Sequence, residues 1–265
     1  MPERPPFLEI RRLRAGYGRR TVLEDVSFQT EEGMLTALLG ANGCGKTTLL
    51  KVLCRQLPHT GGCVLDGKPL ETFSRRALAR QISYIPQRSG IGISLPVLEV
   101  VLMGFNPVLG VLQRPSRAQK NRACEALAAV GLEERAEEDY QRLSEGQKQL
   151  GILARAMVED ARLLLLDEPE SALDFFHRHQ MMRLLSGLAA NSGKSGLVTL
   201  HDPALALEYC QRLVLLRDGV CVSVLHPASD SVPHMEQALS GIYGPVRLKR
   251  IEDMGTPRLV MLPAG

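Results

Sequence analysis

The 265 residues carry a net charge of +3, with 45% apolar and 23% charged side chains. That composition is too apolar for a disordered chain and too near neutrality to name nucleic acid as the main partner. Six cysteines (Cys44, Cys54, Cys63, Cys124, Cys210 and Cys221) form no CxxC pair and no zinc-spaced His/Cys cluster, so they read as reduced thiols in a cytosolic protein.

The N-terminus, MPERPPFLEIRR, has no apolar stretch behind its charges, so neither a signal peptide nor an anchor is expected there. From Leu8 to Gln29 apolar and polar residues alternate, which predicts half-buried antiparallel strands. Leu35–Leu39 is almost wholly apolar and reads as a strand buried on both faces of a parallel sheet. A glycine-rich turn follows, and Leu49, Leu50, Leu53 and Leu57 then repeat at helical spacing until Pro58. The most apolar longer stretch, Ser94 to Leu112, includes Glu99, Asn106, two prolines and two glycines, which excludes a spanning helix. Any membrane element must come from another chain.

Residues 87–157 turn mostly helical, Arg117 to Val130 being the clearest helix. Buried strands are expected at Leu163–Leu166, Gly196–Leu200 and Leu213–Leu216. The last of these turns at Arg217-Asp218-Gly219 into Val220–Leu225 as a hairpin. The tail from Arg247 to Leu262 reads as two short strands joined around Met254-Gly255-Thr256. The length suits one domain with an insertion.

Gly40-Ala41-Asn42-Gly43-Cys44-Gly45-Lys46-Thr47 fits GxxxxGK[ST], after a buried strand and before a helix, as that motif requires. Backbone N–H groups in such a loop wrap a polyphosphate, Lys46 reaches the terminal phosphates and Thr47 offers an oxygen to Mg²⁺. Cys44 lies at the helix start, where the dipole favours a thiolate, so it is expected to be reactive without nucleotide. The alternative is a small residue standing where Ser or Ala would serve. Asp167 and Glu168 end the four-leucine strand: Asp167 is placed to hold Mg²⁺, and Glu168 to accept a proton from attacking water. His201 ends the next strand and can meet the γ-phosphate. Gln87, in Tyr84-Ile85-Pro86-Gln87, can contact Mg²⁺ or water and serve as a hinge.

Leu143-Ser144-Glu145-Gly146-Gln147 precedes the Asp167 strand, with Ser144 and Gln147 spaced as a capping box. Together with the cradle and carboxylates, this segment resembles the LSGGQ signature of the ABC ATPases, and the resemblance covers nearly the whole chain. It implies an α/β fold: a P-loop NTPase, RecA-like core with a mostly parallel sheet, an N-terminal antiparallel β subdomain and an inserted α-helical subdomain. The expected division is 1–87 and 158–228 for the core, 88–157 for the helical subdomain and 229–265 for a C-terminal extension. ATP and Mg²⁺ are the implied cofactors. Tyr17 stacks on adenine, residues Gly40 to Thr47 with Thr48 surround the phosphates, and Thr47, Gln87 and Asp167 serve Mg²⁺. Lys46, Gln87, Glu168 and His201 are the implied catalytic set. Ser144, Gly146 and Gln147 meet the ATP of the other protomer, so two composite sites in a homodimer are expected, with Ser171-Ala172-Leu173-Asp174 as the D-loop. Glu145 replaces the first glycine of the signature and brings a carboxylate near the expected γ-phosphate, and Glu170 stands where a small polar residue is usual.

The segment Gln87 to Gly110 resembles importer ATPases serving iron–siderophore, haem and cobalamin permeases, although an Arg near Phe105 is more usual there. The implied partners are permease subunits and, indirectly, a solute-binding protein, at the cytoplasmic face of the membrane, with no nucleic acid. The alternatives are a soluble ATPase of iron–sulfur assembly and, because of Glu145, a non-hydrolytic regulatory cassette.

Overall fold

The alternating N-terminal stretch folds into β1 (Leu8–Tyr17) and β2 (Arg20–Thr30), followed by β3 (Leu35–Leu39), α1 (Lys46–Leu53), β4 (His59–Leu65) and β5 (Lys68–Pro69). Next come α2 (Arg75–Ala79), β6 (Ile82–Ile85), α3 (Val97–Leu102), α4 (Arg117–Ala129), α5 (Glu145–Val158), β7 (Leu163–Asp167) and α6 (Phe175–Ser192). The chain ends with β8 (Ser195–Thr199), α7 (Pro203–Tyr209), β9 (Arg212–Arg217), β10 (Val220–Leu225), α8 (Val232–Tyr243), β11 (Val246–Asp253) and β12 (Thr256–Pro263). This computed structural model describes residues 6–87, 90–110, 112–253 and 255–264. Contacts divide the chain into two units, Met1–Thr72 with Met182–Gly265, and Phe73–Met181, the boundary falling inside α6.

In the first unit the strand order is β5-β4-β1-β2-β10-β9-β3-β8. β1 pairs antiparallel with β2 and β4, while β3 lies parallel between β8 and β9, Leu38 facing Thr199 on one side and Val214 on the other. All five residues of β3 and of β8 are buried, the hydroxyl residues Thr36, Ser195 and Thr199 included, as in strands covered on both faces; β1 alternates, one face buried and one in water. Asp218 and Gly219, at φ 50° and 77°, make the two-residue turn of the β9–β10 hairpin. A Cβ at Gly219 would lie 2.2 Å from the Val22 carbonyl oxygen, so the turn passes directly against β2. Buried Arg212 ties the start of β9 to the end of β2: its guanidinium donates to the Gln29 carbonyl and to Glu31 Oε1 at 2.5 Å.

Helix α1 stops at Leu53, short of the expected Leu57. Arg55 adopts φ 54°, its N–H donates to the Val52 carbonyl at 2.8 Å, and the Gln56 N–H donates to that of Lys51 at 2.9 Å. These two bonds make a Schellman motif with arginine in the position usually held by glycine, so the sequence lacks its ordinary stop signal. In the tail β11 and β12 pair from Val246 opposite Pro263 to Asp253 opposite Thr256. Met254, placed in the expected turn, lies outside the described residues, as do the first five residues of the N-terminal segment read above.

In the second unit β6 and β7 run parallel, Tyr84 opposite Leu165. Between residues 87 and 157 the described elements are α3, α4, α5 and short 3-10 turns. Ser116 and Gln119 cap α4 reciprocally, which fixes its start at Arg117. Residues 91–98 are stitched to residues 136–141. The Val97 N–H donates to the Glu138 carbonyl at 3.0 Å, Leu98 to Ala136 at 2.9 Å and Tyr140 to Leu95 at 2.9 Å. The Gln141 amide donates to the Ile91 carbonyl, and Ser94 Oγ donates to Asp139 Oδ2 at 2.5 Å. Tyr140 is wholly buried, its hydroxyl donating to the Lys148 carbonyl at 3.1 Å, which anchors the segment beneath α5. Among the described residues no helix is long and apolar enough to cross a membrane.

Candidate functional site

The glycine loop leaves β3 at Gly40 and enters α1 at Lys46. A Cβ at Gly40 would stand 2.3 Å from the Leu216 carbonyl oxygen and 2.6 Å from Cys44 Sγ, and Gly40 sits at φ 153°. Gly45, the residue before α1, adopts φ 110° and offers no side-chain cap. The start of α1 therefore receives no side-chain cap from Gly45, an arrangement suited to an anion. Gly43, at φ 81°, would meet nothing within 4 Å were it given a Cβ, so the loop's tip is open, and Ala41 and Asn42 are exposed beside it. Lys46 is buried, its ammonium donating to the Gly40 carbonyl at 2.9 Å and reaching that of Ala41 at 3.4 Å. Its charge is held within the loop. Thr47 and Thr48 follow in the first turn of α1, half-buried and buried.

Tyr17, at the end of β1, is 46% exposed, and Lys51 Nζ stands 5.8 Å from its ring centroid, so an open aromatic face lies beside α1. His201 follows β8. Because Leu38 pairs with Thr199, and Leu200 N–H donates to the Leu38 carbonyl, it leaves the sheet at the same edge as Gly40. Asp202 caps α7 behind it, accepting from the Ala204 N–H at 2.8 Å.

Of the two readings of Cys44, the structure favours the packed one. Burial pushes its thiol up from the ordinary range more strongly than Lys46 and the neighbouring N–H groups pull it down. It is a packed thiol at 7% exposure, and the alternative of a small residue filling the loop is the one the structure supports.

The second unit carries the carboxylates. Asp167 closes β7 at 4% exposure, with Tyr84 Oη 3.4 Å from Oδ2. Glu168 adopts φ 49°, a left-handed backbone that is costly for a side chain of this length and is characteristic of functional positions. Its Oε2 accepts from Gln87 Nε2 at 2.7 Å. Gln87 and Glu168, 81 positions apart, are thus in direct contact, and the amide oxygen of Gln87 is left to face elsewhere. Sequence reasoning missed Tyr84 as a neighbour of Asp167; the signal was its place opposite Leu165 on the adjacent strand. Glu170 is buried at 6% exposure, and nothing in the structure explains why a carboxylate is used there.

The signature helix begins as its spacing suggested. Ser144 Oγ accepts from the Gln147 N–H at 3.2 Å, and Gln147 Oε1 accepts from the Ser144 N–H at 3.0 Å. Both side chains keep donors that the box does not use, the serine proton and the glutamine NH₂. A Cβ at Gly146 would lie 3.0 Å from the Ala172 carbonyl oxygen, so the glycine lets Ser171–Asp174 pack against α5. Asp174 caps α6 through the His177 N–H at 2.9 Å. That bond and the His177 ring hold its carboxyl below the usual range. The Glu145 carboxylate, 73% exposed, is paired with Lys148 Nζ at 2.8 Å.

A glycine loop between a buried parallel strand and an uncapped helix, with a carboxylate-tipped parallel strand elsewhere in the chain, defines a P-loop nucleoside triphosphatase fold. The family described as ABC transporter matches residues 23–171. The chain is 32% identical over 265 residues to the ferric enterobactin transport ATP-binding protein FepC of Escherichia coli (strain K12), covering 99% of this chain and 96% of that protein. It is 37% identical over 244 residues to the hemin import ATP-binding protein HmuV of Pseudomonas putida (strain KT2440), with 90% and 92% covered. Among solved structures, the dimeric post-hydrolysis state of the ATP-binding cassette MJ0796 bound to ADP and phosphate superposes with a TM-score of 0.73 at 25% identity, covering 83% of this chain and 98% of that one. The chain belongs to the ABC transporter family, as an ATP-binding subunit that hydrolyses ATP.

Proposed function

We propose that this chain is the ATPase of an importer for a metal chelate of the iron–siderophore, haem or cobalamin type, acting as a homodimer on the cytoplasmic face of a permease. The ferric enterobactin and hemin relatives support the cargo class, and the dimeric cassette supports the pairing. In this reading residues 88–157 form the helical subdomain inserted in a core of 1–87 and 158–228, and 229–265 form an extension.

The observation that carries the reading is the 2.7 Å hydrogen bond from Gln87 to Glu168, because it joins the segment expected to sense the permease to the carboxylate expected to act on water. Tyr17 stacks on adenine, and the N–H groups from Gly40 to Thr48 hold the phosphates with Lys46. Thr47, Asp167 and the Gln87 amide oxygen are hard oxygen donors that fit Mg²⁺. Held by these oxygens, Mg²⁺ would neutralise phosphate charge. Glu168 accepts the proton of the attacking water and His201 donates toward the γ-phosphate. Ser144, Gly146 and Gln147 close the site of the other protomer, and the stitched segments 91–98 and 136–141 carry movement from the permease side to that motif.

The test is Glu168→Gln. Turnover should fall at least a hundredfold, on the scale of losing a positioned base, and size-exclusion chromatography with MgATP should show an accumulated dimer. Unchanged turnover would remove Glu168 from its role. Native protein purified from solubilised membranes should bring a polytopic membrane protein with it; recovery with soluble assembly proteins alone would overturn the importer half.

A further inference from the structure

We propose that Lys148 masks the charge of Glu145, so that a signature helix bearing a carboxylate at its first position can still receive the polyphosphate of a second protomer. The inference rests on the reading of the signature as half of a composite site.

Glu145 is the first residue of α5, directly after the Ser144 cap, and 73% of its side chain is open to water. The helix dipole favours an acidic residue there, but the same site then presents negative charge to an incoming anion. Lys148, one turn on, lies in the part of a helix where a cation is least favoured, and its side chain is only 17% exposed. Its ammonium is 2.8 Å from Glu145 Oε1. Its backbone is pinned by the buried Tyr140, whose hydroxyl donates to the Lys148 carbonyl. A lysine packed against its own helix start and turned onto Glu145 leaves the turn neutral overall, with the dipole and the unused donors of Ser144 and Gln147 facing outward. An exposed pair of this spacing contributes little to stability in water. Its effect is expected when a closing dimer excludes water and an unpaired carboxylate beside phosphate becomes costly.

The experiment uses the full chain carrying Glu168→Gln, and measures by analytical ultracentrifugation the MgATP concentration that half-assembles the dimer. Lys148→Met, which keeps the packed stem, should raise that concentration about tenfold, and the defect should shrink as salt rises. Adding Glu145→Gln to Lys148→Met should restore assembly to the level of Glu145→Gln alone, the signature of coupling between the two positions. An unchanged requirement in Lys148→Met would overturn the proposal. So would a double variant as defective as Lys148→Met, because Lys148 would then be meeting nucleotide directly. Thermal melts of each variant separate loss of folding from loss of assembly. If the Glu168→Gln parent itself stays monomeric with MgATP, the composite-site reading falls and takes the masking role with it. If the parent assembles and the lysine variant behaves like it, only the masking role falls.

Discussion

Two helix starts in this chain are built in opposite ways. α1 begins after Gly45 with no side-chain cap, whereas α5 begins with the reciprocal Ser144–Gln147 box. Sealing a helix start with a serine contributes about 1 kcal/mol, so α1 forgoes that stabilisation and offsets it by burying six of its eight residues, from Lys46 to Leu53. At α5 the chain's own side chains pair the Ser144 and Gln147 N–H groups. A start left open is a permanent receptacle for phosphate. One already capped can meet phosphate only as an addition, through donors its cap leaves over.

The largest effect should come from closing the open start. Gly40→Ala places a Cβ 2.3 Å from the Leu216 carbonyl oxygen, which as backbone cannot yield, in a φ region that alanine avoids. We expect about 3 kcal/mol or more of lost stability in urea titration and no binding of a fluorescent ATP analogue. Wild-type stability with retained binding would mean the loop is looser than its geometry shows.

Ser144→Ala tests the other member of the pair and should act more gently. The box loses its acceptor for the Gln147 N–H, and stability should drop by about 1 kcal/mol. Binding of the ATP analogue to the monomer should persist while turnover falls, because the change lies at α5 and leaves the cradle intact. Loss of monomer binding would show that the two starts are not separable in function.

The same contrast explains what could be read from the chain beforehand. The cradle and the capping box are contiguous or three residues apart, so spacing alone reveals them. The parallel strand β7 announces itself as an unbroken run of four leucines, and β3 and β8 as short apolar runs broken only by Ser or Thr. The contact of Gln87 with Glu168 and that of Ser94 with Asp139, 45 positions apart, depend on how distant segments return to one another, which no local pattern encodes. Cys44 left two readings open for a related reason. Its place at a helix start is visible in sequence, but the burial that overrides the dipole is a property of the fold. The end of α1 was missed because Arg55 does what glycine ordinarily does. Glu145 pairs with Lys148 three residues on, at a spacing that is visible in the sequence but was not used there.

The smallest expected effect concerns the stitching that holds the start of α5 in place. The hydrogen bond from Ser94, and then the Gln141 N–H, hold the Asp139 carboxyl below its ordinary range. A carboxyl so lowered stabilises the fold at every pH above its unfolded value of about 3.9, and that contribution is lost as pH falls through the lower folded value. Asp139→Asn should therefore shift the urea midpoint at pH 7, and the gap between variant and wild type should stay level down to about pH 4 and narrow only below it. Because Asp139 is open to water, the gap should be small. α1, with no carboxylate in its first turn, should show no comparable acid step in nucleotide-free protein when local opening is followed by hydrogen exchange. An acid step of equal size at both helix starts would mean that a carboxylate outside the stitch dominates. The difference between a start held by side-chain charge and one held by buried backbone would then not be what separates them.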